Sequence, residues 1–318
     1  MPPIQLLADL GATNSRFAIA SPGGRTRFLR ILRAADYASP LAAARHYIAE
    51  LPASERPTSG AIAVAAPIVA GRIRFVNLGW SFTIGSLQRG LGFSDLHVLN
   101  DLEAQAYALL TLRRHECPKI GKGHPVASAP QLAIGPGTGL GMACLIYADS
   151  GPCVLPSEGG HQTLAAATRE DEKLIGSLRR RYGHVSAERA LSGPGLAALY
   201  SALSSKATTL QPAEIAARAR ARSDARAVAT ADAFSRLLGC YCGNMALAFS
   251  ALGGVYIVGG VVPGLGRAFN RRAFRAAFES KGRYRDYLAR IPVAIVLRKD
   301  LGLRGLSTYL ALRGTRRG

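Results

Sequence analysis

Ile134-Gly135-Pro136-Gly137-Thr138-Gly139-Leu140-Gly141 is bounded by two apolar runs, Leu132–Ile134 before it and Met142–Tyr147 after it. That layout reads as a β-hairpin whose tip is built from glycine and one threonine. An earlier stretch echoes it. Ile4–Ala8 is apolar and leads into Asp9-Leu10-Gly11-Ala12-Thr13-Asn14, after which Arg16–Ala20 resumes β character. Two hairpins with matched tips suggest two similar domains facing each other across a cleft. A tip of small residues lets backbone N–H groups approach an anion, and such concavities bind phosphate. A plain hairpin turn also selects Gly and Asn. It is the pairing of the tips, with Thr13 and Thr138 as added hydroxyl donors, that points to a nucleotide phosphate clamp.

Neither tip is a P-loop, because no Gly-x-x-x-x-Gly-Lys-Ser/Thr occurs in the chain. Neither is a dinucleotide fingerprint, since a strand follows where a helix should open. A clamp of backbone and hydroxyls lacks a lysine, so Mg²⁺ must neutralise much of the phosphate charge. Asp9, at the end of a buried strand beside the first tip, is the natural carboxylate on the metal side, acting through water. A third glycine pair, Gly259-Gly260, ends the apolar run Val255–Val258. It offers an adenine contact, or simply close helix–strand packing.

Around these landmarks, strands and helices alternate, which argues for an α/β layering. Further strands are expected at Ala61–Ala65, Ile73–Val76, Leu96–Leu99 and Val293–Leu297. Helices are expected at Pro40–Leu51, Leu102–Leu112, Glu170–Tyr182, Pro194–Leu203, Ala213–Ala221 and Ala225–Leu252. The domain boundaries expected are 1–111 for a small α/β domain and 112–300 for a large one, with a C-terminal helix in 301–318 returning to the first.

The chain of 318 residues carries 40 Lys+Arg against 20 Asp+Glu, a net charge of +20. Such a balance reads either as a nucleic-acid footprint or as an arginine-rich solvated surface. Of the basic residues 34 are Arg, which favours the second reading. Basic patches stand at Arg179–Arg181, at Arg218 to Arg226 and on the helix with Arg267, Arg271 and Arg275, where Phe274 and Phe278 predict an amphipathic surface helix with a solvated arginine face. No signature of the usual nucleic-acid modules is present, which argues against a nucleic-acid partner. No apolar run approaches the ~18–20 residues of a membrane span, and the start lacks a signal-peptide layout. Both favour the cytoplasm. Five cysteines do not suggest a disulfide framework. Cys240 and Cys242 lie in a helical pattern and read as core residues.

Against this charge, the few acids stand out. Asn100 and Asp101 fall where a strand ends and a helix begins. Asp there is a favoured cap, and it is also where α/β sheets line a ligand crevice. Asp101 could take a proton from a substrate hydroxyl. Glu158 and His161 flank Gly159-Gly160, and Glu188 precedes Ser192-Gly193-Pro194-Gly195. Carboxylates and an imidazole on loops suit a polyhydroxyl ligand.

Taken together, Leu7–Arg16, Leu99–Asp101, Ile134–Gly141, Glu158–His161, Glu188–Gly195 and Gly253–Pro263 resemble the bacterial glucokinase family of the hexokinase/actin-like ATPase fold, nearly end to end. The resemblance implies two similar ribonuclease H-like lobes with a central interlobe cleft. It implies ATP-dependent phosphorylation of the glucose 6-hydroxyl, the entry to glycolysis, with Asp101 as general base. Asn100, Asp101, Glu158, His161 and Glu188 would bind the sugar. Asp9, Gly11, Ala12, Thr13, Asn14, Gly137, Thr138, Gly139 and Gly141 would hold the phosphates and Mg²⁺, with Gly259 and Gly260 near the adenosine. Pro67 and Asn77 through Trp80 are similar to sugar-side loops, and a homodimer is the family pattern. The alternatives are a broader hexose or amino-sugar kinase, or a basic sugar-sensing or nucleic-acid-binding protein on the same fold. A Cys-x-Cys-Gly zinc segment shortly after the Gly-His, seen in related sugar kinases and repressors, is absent here.

Overall fold

The computed structural model describes residues 4–11, 13–20, 26–75, 78–204 and 210–316. Ala12 and Asn77 lie outside the described residues. The chain divides into two units, Met1–Leu112 with Arg298–Gly318, and Arg113–Leu297.

In the first unit, β1 (Gln5–Leu10) and β2 (Asn14–Ala20) form an antiparallel hairpin in which Asp9 faces Arg16 across the ladder. β3 (Thr26–Arg33) continues antiparallel beside β2, and β4 (Ser59–Val64) lies parallel to β1. Short strands β5 (Ile68–Val69), β6 (Arg72–Arg74) and β7 (Ser81–Thr83) make a separate sheet. β8 (Asp95–Asn100) closes the main sheet parallel to β4, in the order β3-β2-β1-β4-β8. Because β1 is central, Leu6, Leu7 and Ala8 are all fully buried, which is why it reads as a continuous apolar run and not an alternation. The helices are α1 (Pro40–Ala49), capped by Ser39 with Pro40 in its first turn, α2 (Ile84–Leu91) and α3 (Asp101–Ala108).

β3 was not expected from the sequence. It is an edge strand with Phe28, Leu29 and Ile31 exposed. Arginines at 27, 30 and 33 interrupt its apolar pattern, and charges of this kind protect an edge from adventitious pairing. Trp80 is buried. Its ring meets Phe75 edge-on and its indole N–H donates to the Tyr37 carbonyl at 3.1 Å.

The second unit repeats the plan. β9 (Lys119–Ile120) is an added edge; β10 (Gln131–Pro136), β11 (Leu140–Ala148) and β12 (Gly151–Ser157) are antiparallel neighbours; β13 (Gly254–Ile257) and β14 (Val293–Ile295) follow in parallel. The order is β12-β11-β10-β13-β14-β9, so its first five strands match those of the first unit in order and sense. Helices α4 (Arg169–Tyr182), α5 (Gly193–Ala202), α6 (Pro212–Ala221), α7 (Ala225–Ala248), α8 (Val261–Leu265), α9 (Arg271–Glu279) and α10 (Arg285–Arg290) surround it. Cys240 and Cys242 are both buried in α7, although residues two apart face different sides, because α7 is enclosed on most of its surface. Asp171, fully buried on α4, accepts two hydrogen bonds from Arg236 of α7 at 2.9 and 2.7 Å.

Arg275 corrects the expectation of a solvated arginine face on α9. Phe274 and Phe278 are buried as the periodicity requires, but the Arg275 side chain is only 12% exposed. It donates to the carbonyls of Ile291 (2.9 Å), Leu288 (3.1 Å) and Ala289 (2.8 Å), and pairs with Glu279. A guanidinium can satisfy several orphan carbonyls at a chain reversal, and here it ties α9 to the segment leading into β14.

α11 (Leu301–Arg316) completes the first unit, packing on α3, β1 and β4. Gly305 lies directly on the Ala104 backbone, leaving no space for a side chain.

Candidate functional site

In the first unit the parallel register fixes the geometry. Leu10 is level with Val64, and Val64 with Asn100, so Asp9, Asn100 and Asp101 all stand at the C-terminal edge of one sheet. Two strand spacings separate β1 from β8, about 10 Å. Asn100 caps α3: its side chain accepts from the Leu102 N–H at 2.9 Å, and its own N–H donates to Glu103 at 3.2 Å. Asp101 accepts from the same Leu102 N–H at 2.9 Å. Its position in the first turn of α3 is one where the helix dipole favours negative charge. The cap expected from the sequence and the edge position are therefore one arrangement.

Asp9 is different in kind. Its side chain is 20% exposed, with Arg16 3.8 Å away. Burial pushes its carboxyl above the ordinary aspartate range, and Arg16 only partly offsets this. Such a carboxylate gains from a further cation. A single carboxylate with water suits Mg²⁺, a hard ion that keeps several waters and takes its other oxygens from phosphate. No group of three metal-ligating side chains occurs among the described residues, so no all-protein metal cage is present there. Gly11 donates its N–H to the Asn14 carbonyl at 3.2 Å, which closes the turn and leaves Thr13 and Asn14 exposed beside Asp9.

In the second unit, several segments converge on the β10–β11 turn. Gly137 donates to the Gly139 carbonyl at 2.8 Å, tightening the tip, while the Gly193 N–H at the start of α5 donates to the Gly137 carbonyl at 2.8 Å. Glu188 accepts from the Leu140 N–H at 2.9 Å and lies so close to Gly139 that a β-carbon there would strike its carboxylate. Glu158 and His161 are both exposed, 3.8 Å apart, at the two ends of one 3₁₀ turn, Gly159–His161, with Glu158 at its N-cap. The intervening Gly160 lies against the Leu140 carbonyl, where any side chain would collide with backbone. Gly259, with φ +85°, abuts Pro136 from β13, and Gly260 beside it faces open space.

Asp9, Gly11, Thr13, Asn14, Asn100 and Asp101 thus share one sheet edge of the first unit. Gly137, Thr138, Gly139, Gly141, Glu158, His161, Glu188, Gly259 and Gly260 gather about one hairpin of the second. Ser192 was not singled out as a site residue. Its hydroxyl donates to the Glu188 carbonyl at 2.8 Å and accepts from the Gly195 N–H at 3.0 Å, so it holds the segment bearing Glu188. The quoted Ser192-Gly193-Pro194 signature, a helix cap followed by proline, was the signal for it.

Comparison with known proteins adds an independent view. The family model described as Glucokinase matches residues 6–313. A curated glucokinase of Nitrobacter hamburgensis is 41% identical over 311 residues, covering 96% of this chain and 97% of that protein. One of Aromatoleum aromaticum is 43% identical over 311 residues, covering 96% and 94%. Among solved structures, a glucokinase from an Antarctic psychrotroph superposes with a TM-score of 0.88 at 35% identity, covering 98% of this chain and 99% of that one.

Proposed function

The chain belongs to the glucokinase family, with the actin-like ATPase fold of sugar kinases, and from that premise we propose that it transfers the γ-phosphoryl group of MgATP to the 6-hydroxyl of glucose. The products are glucose 6-phosphate and ADP. One observation carries this reading: a family match over residues 6–313 that includes both glycine-tipped hairpins.

The reaction is an in-line displacement in which positioning and charge stabilisation do most of the work. Asp101 accepts the proton as the 6-hydroxyl oxygen attacks phosphorus. The sheet-edge position and the cap made by Asn100 support this, because they hold the carboxylate on a rigid element. Asn100, Glu158, His161 and Glu188 bind the other sugar hydroxyls. The exposure of Glu158 and His161 supports that role, since among the described residues their side chains pair only with each other. The turns at Gly11–Asn14 and Gly137–Gly141 hold phosphate oxygens through backbone N–H groups and the hydroxyls of Thr13 and Thr138. Gly259 and Gly260 lie toward the adenosine. Mg²⁺, held through water by Asp9, would neutralise charge on the phosphates. Family resemblance extends the proposal to a homodimer acting in the cytoplasm. No described helix is long and apolar enough to cross a membrane.

A coupled assay for ADP with purified protein tests the function. ADP formation that requires both glucose and MgATP is expected, with mannose and glucosamine as comparison sugars. Glucose-independent ADP release, or none, refutes it.

A further inference from the structure

Two of the basic patches visible in the sequence meet in the folded second unit. Arg220 and Arg222 at the end of α6, Arg267 in the 3₁₀ turn Gly266–Ala268, and Arg271 at the start of α9 line one cavity of about 670 Å³. The lining holds four arginines and a single carboxylate residue, Asp232, which accepts from the Asn270 side chain at 2.9 Å. Arg220 reaches the Gly264 carbonyl and Arg267 the Arg220 carbonyl. Among the described residues, none of the four is in an ion pair; the nearby pairs with Glu214 and Asp224 are made by Arg218.

The placement runs against local preference. Arg222 occupies the left-handed position that ends α6, φ +55°, where glycine is the usual residue. Arg271 stands in the first turn of α9, where the helix dipole disfavours a cation. These positions favour neither helix, yet both residues line the cavity. The site is also set apart from the hairpin. α6 begins at Pro212, which packs near Gly193, and its ten residues carry the chain about 15 Å away before Arg222.

We propose that this cavity is a second anion site, taking a small molecule with two or more phosphate groups. Planar guanidinium forks match phosphate oxygens in pairs. The volume suits a metabolite-sized ligand. Phe269 supplies an apolar wall for the ligand body.

The test uses the full chain saturated with glucose and the Mg²⁺ complex of a non-hydrolysable ATP analogue, titrated calorimetrically with inorganic pyrophosphate in excess Mg²⁺. One pyrophosphate per chain is expected, bound at least ~10-fold more weakly by the double variant Arg222→Glu/Arg271→Glu, since charge-assisted hydrogen bonds are lost. Its kcat for glucose phosphorylation stays within about two-fold, because neither residue is in the reacting site. Arg222→Gly guards against misfolding as an explanation: it relieves the left-handed strain, so Tm rises while pyrophosphate binding still weakens. Equal binding by wild type and variants overturns the proposal. So does loss of binding on adding the ATP analogue, which would place these arginines in the nucleotide site. Retardation of a short DNA duplex by wild type but not by the double variant would assign the patch to nucleic acid instead.

Discussion

Gly259→Ala and Gly260→Ala, one residue apart, should behave in opposite ways. Gly259 has φ +85°, and an added β-carbon would sit 2.7 Å from the Pro136 carbonyl oxygen and 3.1 Å from its carbon. The left-handed backbone alone costs about 1–2 kcal/mol for a residue other than glycine. The contact falls on backbone, so β13 and the β10–β11 turn must separate by a few tenths of an ångström, adding about 1 kcal/mol. A total of about 2–3 kcal/mol lowers Tm by about 5–10 °C in a unit of this size. Gly260 has no positive φ and no atom within 4 Å of the added carbon, so its alanine variant should melt within about 2 °C of wild type. If the pair borders the adenosine, Gly260→Ala raises KM for ATP and leaves KM for glucose unchanged. Scanning calorimetry and two-substrate kinetics on both variants decide the matter. Equal Tm losses, or an unperturbed Gly259→Ala, would refute the steric reasoning. A normal KM for ATP in Gly260→Ala would remove the adenosine assignment.

Glu188 holds the Leu140 N–H and is proposed to hold sugar. Glu188→Gln keeps an acceptor for that N–H, so glucose affinity should fall while KM for ATP holds; Glu188→Ala should impair both, and identical kinetics for the two variants would contradict this division. Arg275→Lys cannot replace the guanidinium's bonds to Ile291, Leu288 and Ala289. A loss of about 2–4 kcal/mol is expected, read as a Tm drop above about 5 °C, and a change below 2 °C would show those bonds to be dispensable. Burial raises the Asp9 carboxyl, so the folded chain holds a proton that the unfolded chain has already released. Stability therefore falls as pH rises from the ordinary aspartate pKa, about 3.9, through the raised folded value. Urea unfolding of Asp9→Asn should lack that decline and show greater stability at neutral pH; parallel pH curves for the two proteins would refute it.

The paired hairpins were legible in sequence because so many glycines between apolar runs have few other uses. The edge position of Asn100 and Asp101 was legible from the change of β to helical pattern at a capping residue. β3 was not, because an exposed edge strand has no buried face to impose alternation, and its arginines mimic a loop. Arg275 was misread for a related reason: periodicity identifies the apolar stripe of α9 but not which chain reversal packs beside the polar one. The Glu188–Leu140 bond joins residues 48 apart, a closure set by tertiary packing and invisible to local pattern. The basic patches read as separate stretches of surface until α6 and α9 brought them to one cavity.

In the proposed reaction Asp101 receives the proton of the attacking hydroxyl. The most direct test is the kcat of Asp101→Asn at saturating glucose and MgATP. The substitution keeps an oxygen acceptor for the Leu102 N–H, so the cap and the fold should persist. A kcat lower by at least ~10²-fold, the smallest effect expected on losing a general base, is expected with an unchanged melting temperature. A kcat within a few-fold of wild type would contradict it.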